Sequence, residues 1–237
     1  MVFHPRVCSL LGVSFEEVSE MYEVSHLGHV FQLLPEKAIY IESLQSLLIA
    51  DVHLGKSETF QALGVPIPNQ VNQQTLERLR SLCVKFNPKT LIILGDLFHS
   101  RRGLVDEVLE GWSNFCQETS SHIQLIVGNH DRHLISMLKH CEIECHSTPV
   151  QVQNLLLSHE PSPQATSLNI CGHIHPCFRI RSKLDTLRLP CFYFDSMQRT
   201  LTLPSFGEFT GGHEVSLEPG AIAYVIADNA VIPFGSR

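Results

Sequence analysis

The chain has 237 residues, a formal net charge of −7 and a sequence pI of about 6.0. This length permits one α/β domain with a sizeable core, and the acidic balance argues against a general nucleic-acid coat. No apolar run approaches a membrane span, no secretory leader pattern begins the chain and the eight cysteines form no C-x-x-C pair, so we expect a cytoplasmic protein with reduced thiols and no membrane association.

The hydrophobic pattern divides the chain into a short extension and one domain. Residues 1–24 show weak periodicity and are predicted to be irregular, so that the domain spans residues 25–237. Alternating segments at 29–34 and 38–42 predict a hairpin that leads into the first central strand. Glycine and proline punctuate the segment from Leu54 to Pro68, which predicts a loop without a long regular element.

Helical spacing of apolar residues predicts three helices. The first has Asn69 as a candidate cap and stops at Asn87, the second begins near residue 104, and a short third one lies around 134–140. Strands alternate with these helices, which is the order of a layered α/β fold. From Cys177 onwards the chain is rich in strand and turn patterns, which predicts a second sheet.

Each of five apolar runs is followed by Asp, Asn or His. The runs are typical of buried strands, and open α/β sheets collect their ligands just beyond the carboxyl ends of strands. One such residue alone can be a cap or turn residue, but five in corresponding positions indicate one shared site. The runs and their polar residues are 47–50 with Asp51 and His53, 90–94 with Asp96, 125–127 with Asn129 and His130, 155–157 with His159, and 169–171 with His173 and His175.

These residue types predict a metal site. Asp51 and His53 lie two residues apart, so on an extended chain they point to one side and can share a metal, and the same argument applies to His173 and His175. Carboxylate and imidazole ligands with few thiolates suit Mn, Fe, Zn or Ni better than calcium. The ligands are too many for one ion, so two divalent ions about 3.5–4 Å apart are predicted, bridged by Asp96. A structural zinc site with four closed ligands is the alternative.

The same motifs resemble a known family. In order, they resemble the five sequence blocks of the calcineurin-like binuclear metallophosphoesterases: Asp51-x-His53, Gly95-Asp96, Gly128-Asn129-His130-Asp131, His159 and Gly172-His173-x-His175. The resemblance implies an α/β fold, namely a four-layer α/β/β/α sandwich. It implies a first metal held by Asp51, His53, Asp96 and His175. It implies a second metal held by Asp96, Asn129, His159 and His173, with His130 contacting the substrate and its leaving group.

Further segments resemble the ligase-associated DNA-damage-response phosphoesterases, the PdeM group. They are Asp51-Val-His-Leu-Gly-Lys56, Gly64-Val-Pro-Ile-Pro68, Gly95-Asp-Leu-Phe-His99, 189–192 and 203–212. This resemblance implies an endonuclease or phosphoesterase that works in DNA repair beside a DNA ligase and a DExH-box helicase, with single-stranded DNA as a candidate substrate. The expected cofactors are two divalent ions, manganese first, with iron, zinc, nickel or magnesium as alternatives.

The expected reaction is hydrolysis of a phosphodiester bond in DNA or nucleotides by a hydroxide that bridges the two metals. His130, oriented by Asp131 or another acceptor, is the candidate general acid, and Asp96 is the candidate bridging ligand. Lys56 and Arg132 are candidate substrate-binding residues, and a supporting or surface role is expected for His99. The alternatives are a phosphodiesterase of small cyclic or linear nucleotides, a phosphomonoesterase, and a binding module that has lost catalysis.

Overall fold

Runs of aliphatic residues form two β-sheets that pack face to face in the computed structural model. The structure describes residues 21–68, 70–138, 143–181 and 186–235. The predicted α/β class with two central sheets is confirmed. None of the described helices is both long and apolar enough to cross a membrane.

The first sheet contains seven strands whose spatial order follows the chain. They are β1 (Tyr22–His26), β2 (His29–Leu34), β3 (Ala38–Ile41), β4 (Ser46–Ile49), β5 (Thr90–Ile93), β6 (His122–Ile126) and β7 (Glu144–His146). Strands β1 to β4 pair antiparallel, whereas β4 to β7 pair parallel. The predicted hairpin is confirmed as β2 and β3. Strand β1 includes residues 22–24 of the predicted irregular extension, and residues 1–20 lie outside the described residues.

The second sheet contains nine strands. They are β8 (Val150–Val152), β9 (Leu155–Leu157), β10 (Leu168–Cys171), β11 (Pro176–Arg181), β12 (Thr186–Asp195), β13 (Thr200–Thr202), β14 (His213–Glu214), β15 (Ala221–Ala227) and β16 (Ala230–Gly235). Strand β10 lies between β9 and β13 and is parallel to both. The predicted second sheet is confirmed, and it begins at residue 150, earlier than expected.

Four α-helices are described: α1 (Lys56–Ala62), α2 (Val71–Phe86), α3 (Asp106–Glu118) and α4 (Ile135–Leu138). Helix α2 ends at Phe86, and the left-handed backbone of the following Asn87 (φ 42°) lets its N–H reach the Cys83 carbonyl, in agreement with the predicted stop at Asn87. The candidate cap Asn69 lies outside the described residues. The segment after Leu54, predicted as a loop without a long regular element, contains the seven-residue helix α1, which its glycines and prolines flank without interrupting.

Alternating side chains of the first sheet build two cores. Leu91 and Ile93 of β5 pack with Trp112 and the other apolar residues of α2 and α3. Ile92 and the following Leu94 face the second sheet. The predicted sandwich has a helical layer on the outer face of each sheet. The described helices form the layer that covers the first sheet.

Candidate metal centre

The carboxyl ends of five strands meet at one edge of the two sheets. Strands β4, β5 and β6 are parallel neighbours in the first sheet, and β9 and β10 are parallel neighbours in the second. Because the sheets stack, the residues that follow these strands face one another. All seven predicted ligands come together here: Asp51, His53, Asp96, Asn129, His159, His173 and His175.

One group of donor atoms surrounds Asp51. The ligand atoms of Asp51, His53 and His175 lie within 4.8 Å of one another, and His175 Nε2 is 3.2 Å from Asp51 Oδ1. His53 Nε2 is 3.9 Å from Asp96 Oδ2, so the carboxylate of Asp96 adjoins this group.

A second group of donor atoms also adjoins Asp96 Oδ2. His159 Nε2 is 3.5 Å from Asp96 Oδ2 and 2.9 Å from Asn129 Oδ1. His173 Nδ1 is 3.1 Å from Asn129 Oδ1. Asp96 thus stands between the two groups, where a bridging ligand was predicted. The argument from two-residue spacing does not hold for His173 and His175, which belong to different groups.

The backbone of both residue pairs lacks the extended conformation that the argument assumed. Residues Asp51, His53, Asp96, His173 and His175 all have φ between 51° and 68°, in the left-handed region. The alternation rule applies to extended chain and not to these turns. A left-handed conformation costs an ordinary L-residue about 1–3 kcal/mol, and such strain clusters at functional sites.

In both Asp96 and Asp51, one carboxylate oxygen accepts a main-chain hydrogen bond and the other is left for a metal ion. The main-chain N–H of His130 donates to Asp96 Oδ1 at 2.9 Å, and the N–H of His173 donates to Asp51 Oδ2 at 2.9 Å. Asp96 Oδ2 then faces His53 and His159. Asp51 Oδ1 is buried and has no hydrogen-bond partner. An unpartnered buried carboxylate oxygen is costly, which indicates that a cation belongs beside it.

The histidines present lone pairs to the same space. Burial, with smaller contributions from Lys56 and His175, lowers the pKa of His53 to about 2, so its ring is neutral. His159 Nδ1 lies 2.9 Å from the Leu94 carbonyl and donates to it. In the neutral ring, Nε2 of His159 therefore carries the lone pair. The neutral ring of His53 and the carbonyl-oriented ring of His159, together with the buried carboxylates, fit divalent cations.

His130 is oriented by an acceptor other than Asp131, an alternative that the sequence had left open. Its Nδ1 lies 2.6 Å from the main-chain carbonyl of His99 and donates to it, and its ring stacks on the His99 ring with centroids 5.0 Å apart. Sequence reasoning left this acceptor unnamed, because a carbonyl oxygen has no residue signature.

Asp131 does not orient His130 and instead binds main-chain N–H groups of two turns. Its buried carboxylate accepts the main-chain N–H groups of Asp96 and Gly128 at 2.7 and 3.1 Å and thereby ties the turns after β5 and β6 together. Burial raises the pKa of Asp131 to about 6, and these donors oppose that rise.

The two candidate substrate-binding cations lie at different depths. Lys56 begins α1 and is half-buried, and burial lowers its pKa while the nearby Asp51 opposes the shift. Arg132 is exposed, and its Nη2 lies 3.3 Å from Glu160 Oε1.

Similarity to known proteins agrees with this geometry. A structure of the Pseudomonas putida nuclease MPE matches with a TM-score of 0.79 and 33% identity, over 90% of this chain and 100% of that chain. The E. coli phosphoesterase YfcE matches with a TM-score of 0.44 and 17% identity, over 80% of this chain and 98% of that one. No curated protein matches. The calcineurin-like phosphoesterase family model matches residues 44–161, which contain five of the seven predicted ligands. The chain therefore belongs to the calcineurin-like phosphoesterase family.

Proposed function

We propose that the chain is a two-metal-dependent phosphodiesterase that cleaves DNA or nucleotides. The observation that carries this proposal is that two groups of donor atoms share Asp96. The buried Asp51 oxygen beside them has no hydrogen-bond partner, as expected of a metal ligand. The similarity to a nuclease over 90% of the chain supports a nucleic-acid or nucleotide substrate.

The residues divide between two ions as their contacts suggest. Asp51, His53, Asp96 and His175 would hold one ion, and Asp96, Asn129, His159 and His173 the other. Bound in this way, two divalent ions supply a water of lowered pKa and neutralise the charge of the phosphoryl oxygens. Manganese is the proposed metal, with iron, zinc, nickel or magnesium as alternatives.

His130 is the proposed general acid. With its Nδ1–H given to the His99 carbonyl, its Nε2 faces Asp96 Oδ2 at 3.9 Å, and its side chain is about one-third exposed. A proton on Nε2 is then directed towards the site and towards an incoming substrate. A positioned general acid contributes typically about 10²–10⁴ in rate.

Single-stranded DNA in a repair pathway is the proposed biological substrate, with a DNA ligase and a DExH-box helicase as partners, as in the PdeM group. Exposed Arg101 and Arg102 follow His99 in a short 3-10 helix beside the site. With half-buried Lys56 they can contact phosphates, which contribute most of non-specific affinity for nucleic acids. Small cyclic or linear nucleotides are the alternative substrates.

The test uses metal-stripped protein refilled with manganese, assayed on bis-p-nitrophenyl phosphate and on single-stranded DNA. We expect metal-dependent hydrolysis of both, which is lost in Asp96→Asn and reduced about 10²–10⁴-fold on DNA in His130→Ala. Met197→Ala, which removes an exposed side chain from the turn after β12, is the control and should retain full activity. Hydrolysis of the small diester alone would remove DNA as the substrate, and no turnover with metals bound would favour the binding-module alternative.

A further inference from the structure

A cavity of about 370 Å³ adjoins the candidate metal centre at His175. This volume lies within the range of about 300–1,000 Å³ that small-molecule sites occupy. Three prolines and the segment 205–211, which we name the rim loop, contribute most of its lining. The prolines are Pro176, Pro190 and Pro204.

The rim loop is fixed to the backbone of the metal centre at both ends. At its start, Ser205 Oγ donates to the Asp51 carbonyl at 2.8 Å, and the N–H of Gly207 donates to the same carbonyl at 3.1 Å. Just beyond its end, the N–H of His213 donates to the His175 carbonyl at 2.9 Å. The loop therefore keeps a fixed position relative to two predicted ligands.

A cluster of charges holds the middle of the rim loop. Glu208 Oε1 accepts from Lys37 Nζ at 3.2 Å and from Arg78 Nη1 at 2.6 Å. The Arg78 guanidinium also lies 4.4 Å from the centre of the Phe206 ring. Two cations and one carboxylate leave this cluster with a net positive charge, so it tolerates an anionic ligand nearby. Lys37 itself lines the cavity.

Phe209, the residue after Glu208, combines a strained backbone with an exposed aromatic ring. Its φ is 56°, in the left-handed region, and 60% of its surface is exposed. A left-handed conformation is a genuine exception for a bulky residue. Because Phe209 lines the cavity, the strain and the exposure both occur where a ligand would meet the ring.

We propose that this cavity binds the nucleobase next to the scissile phosphate, with the Phe209 ring stacked on the face of the base. The proposal rests on the proposed function, since it names a subsite for the same substrate. The prolines and the exposed Phe209 ring offer apolar surface to a planar base, and stacking on an aromatic side chain tolerates any base sequence. The fixed rim loop sets the distance between the stacked base and the metal centre.

The test combines protein variants with matched substrates. The substrates are the thymidine dinucleotide TpT and two analogues in which either the 5′ or the 3′ nucleoside lacks its base. Cleavage is followed by chromatography with the manganese-loaded protein. Phe209→Ala should lower kcat/KM for TpT about 5- to 150-fold, mainly through KM. Phe209→Tyr keeps the ring and should retain activity, as should the control Met197→Ala.

The analogue that lacks the stacked base should react poorly with the unaltered protein and should lose nothing more in Phe209→Ala. Phe209→Gly suits the left-handed backbone and should behave as Phe209→Ala does, which separates loss of the ring from a folding defect. An equal loss by Phe209→Ala on TpT and both analogues would overturn the stacking role. Hydrolysis of bis-p-nitrophenyl phosphate without cleavage of TpT would overturn this inference alone, whereas no metal-dependent hydrolysis at all would overturn the proposed function.

Discussion

Replacing Gly95 by alanine tests whether this glycine lets His159 approach Asp96. Gly95 has φ +82°, and an added Cβ would lie 2.1 Å from His159 Nδ1. The left-handed backbone costs alanine about 1–2 kcal/mol. The clash adds about 1–3 kcal/mol, the usual cost of overpacking. We therefore expect Gly95→Ala to lower the free energy of unfolding of the metal-free protein by about 2–5 kcal/mol, measured in urea.

Gly64→Ala is the matched control. Gly64 has φ +83°, but an added Cβ there meets nothing within 4 Å, so only the backbone cost of about 1–2 kcal/mol applies. Metal content after dialysis should be normal in Gly64→Ala and reduced in Gly95→Ala, because His159 must move. Equal losses of stability with normal metal content in both variants would refute the reasoning.

Three further predictions concern the core, the metals and pH. Trp112→Ala should lower the free energy of unfolding by about 3–5 kcal/mol in urea without changing the metal content, since Trp112 is fully buried away from the ligands. Removing the metals with a chelator should lower the midpoint of thermal unfolding, because ions at 100 times their Kd stabilise the native state by about 2.7 kcal/mol; an unchanged midpoint would contradict native-state metal binding. Burial lowers the pKa of His99 to about 4, so the unfolded chain binds more protons than the folded one between pH 6.5 and 4. The metal-free protein should therefore lose more stability than His99→Gln as pH falls from 7 to 4.5, and parallel losses would contradict the shift.

The strands and their terminal polar residues could be predicted from the sequence because burial leaves a clear pattern. The aliphatic runs before Asp51, Asp96 and Asn129 are indeed adjacent parallel strands of one sheet. Which sheet a strand joins could not be predicted from that pattern. The strands before His159 and His173 lie in the second sheet. The sequence could not show this, because an apolar run is equally compatible with either core.

Local geometry limited the prediction of the site. The spacing rule for ligands assumed extended backbone, whereas both pairs of predicted ligands have left-handed φ. The rule therefore could not decide which neighbours share a donor group: Asp51 and His53 do, and His173 and His175 do not. The acceptor for His130 is a main-chain carbonyl, which only the folded chain reveals. Asp131 was considered as that acceptor, but its carboxylate is used by backbone donors of two turns.

The candidate site lowers the free energy of unfolding of the metal-free protein. Five of its seven predicted ligands have left-handed backbones, and the Asp51 carboxylate is buried with an unpartnered oxygen. Neither feature is favourable by itself, since backbone strain and burial of an unpaired polar atom both cost free energy. A bound cation offsets both, because it pairs with the carboxylates that the turns hold in place. Metal affinity and folding stability would then be coupled in this chain, and the hydrogen bonds that hold the turns keep the ligands in place for the ions.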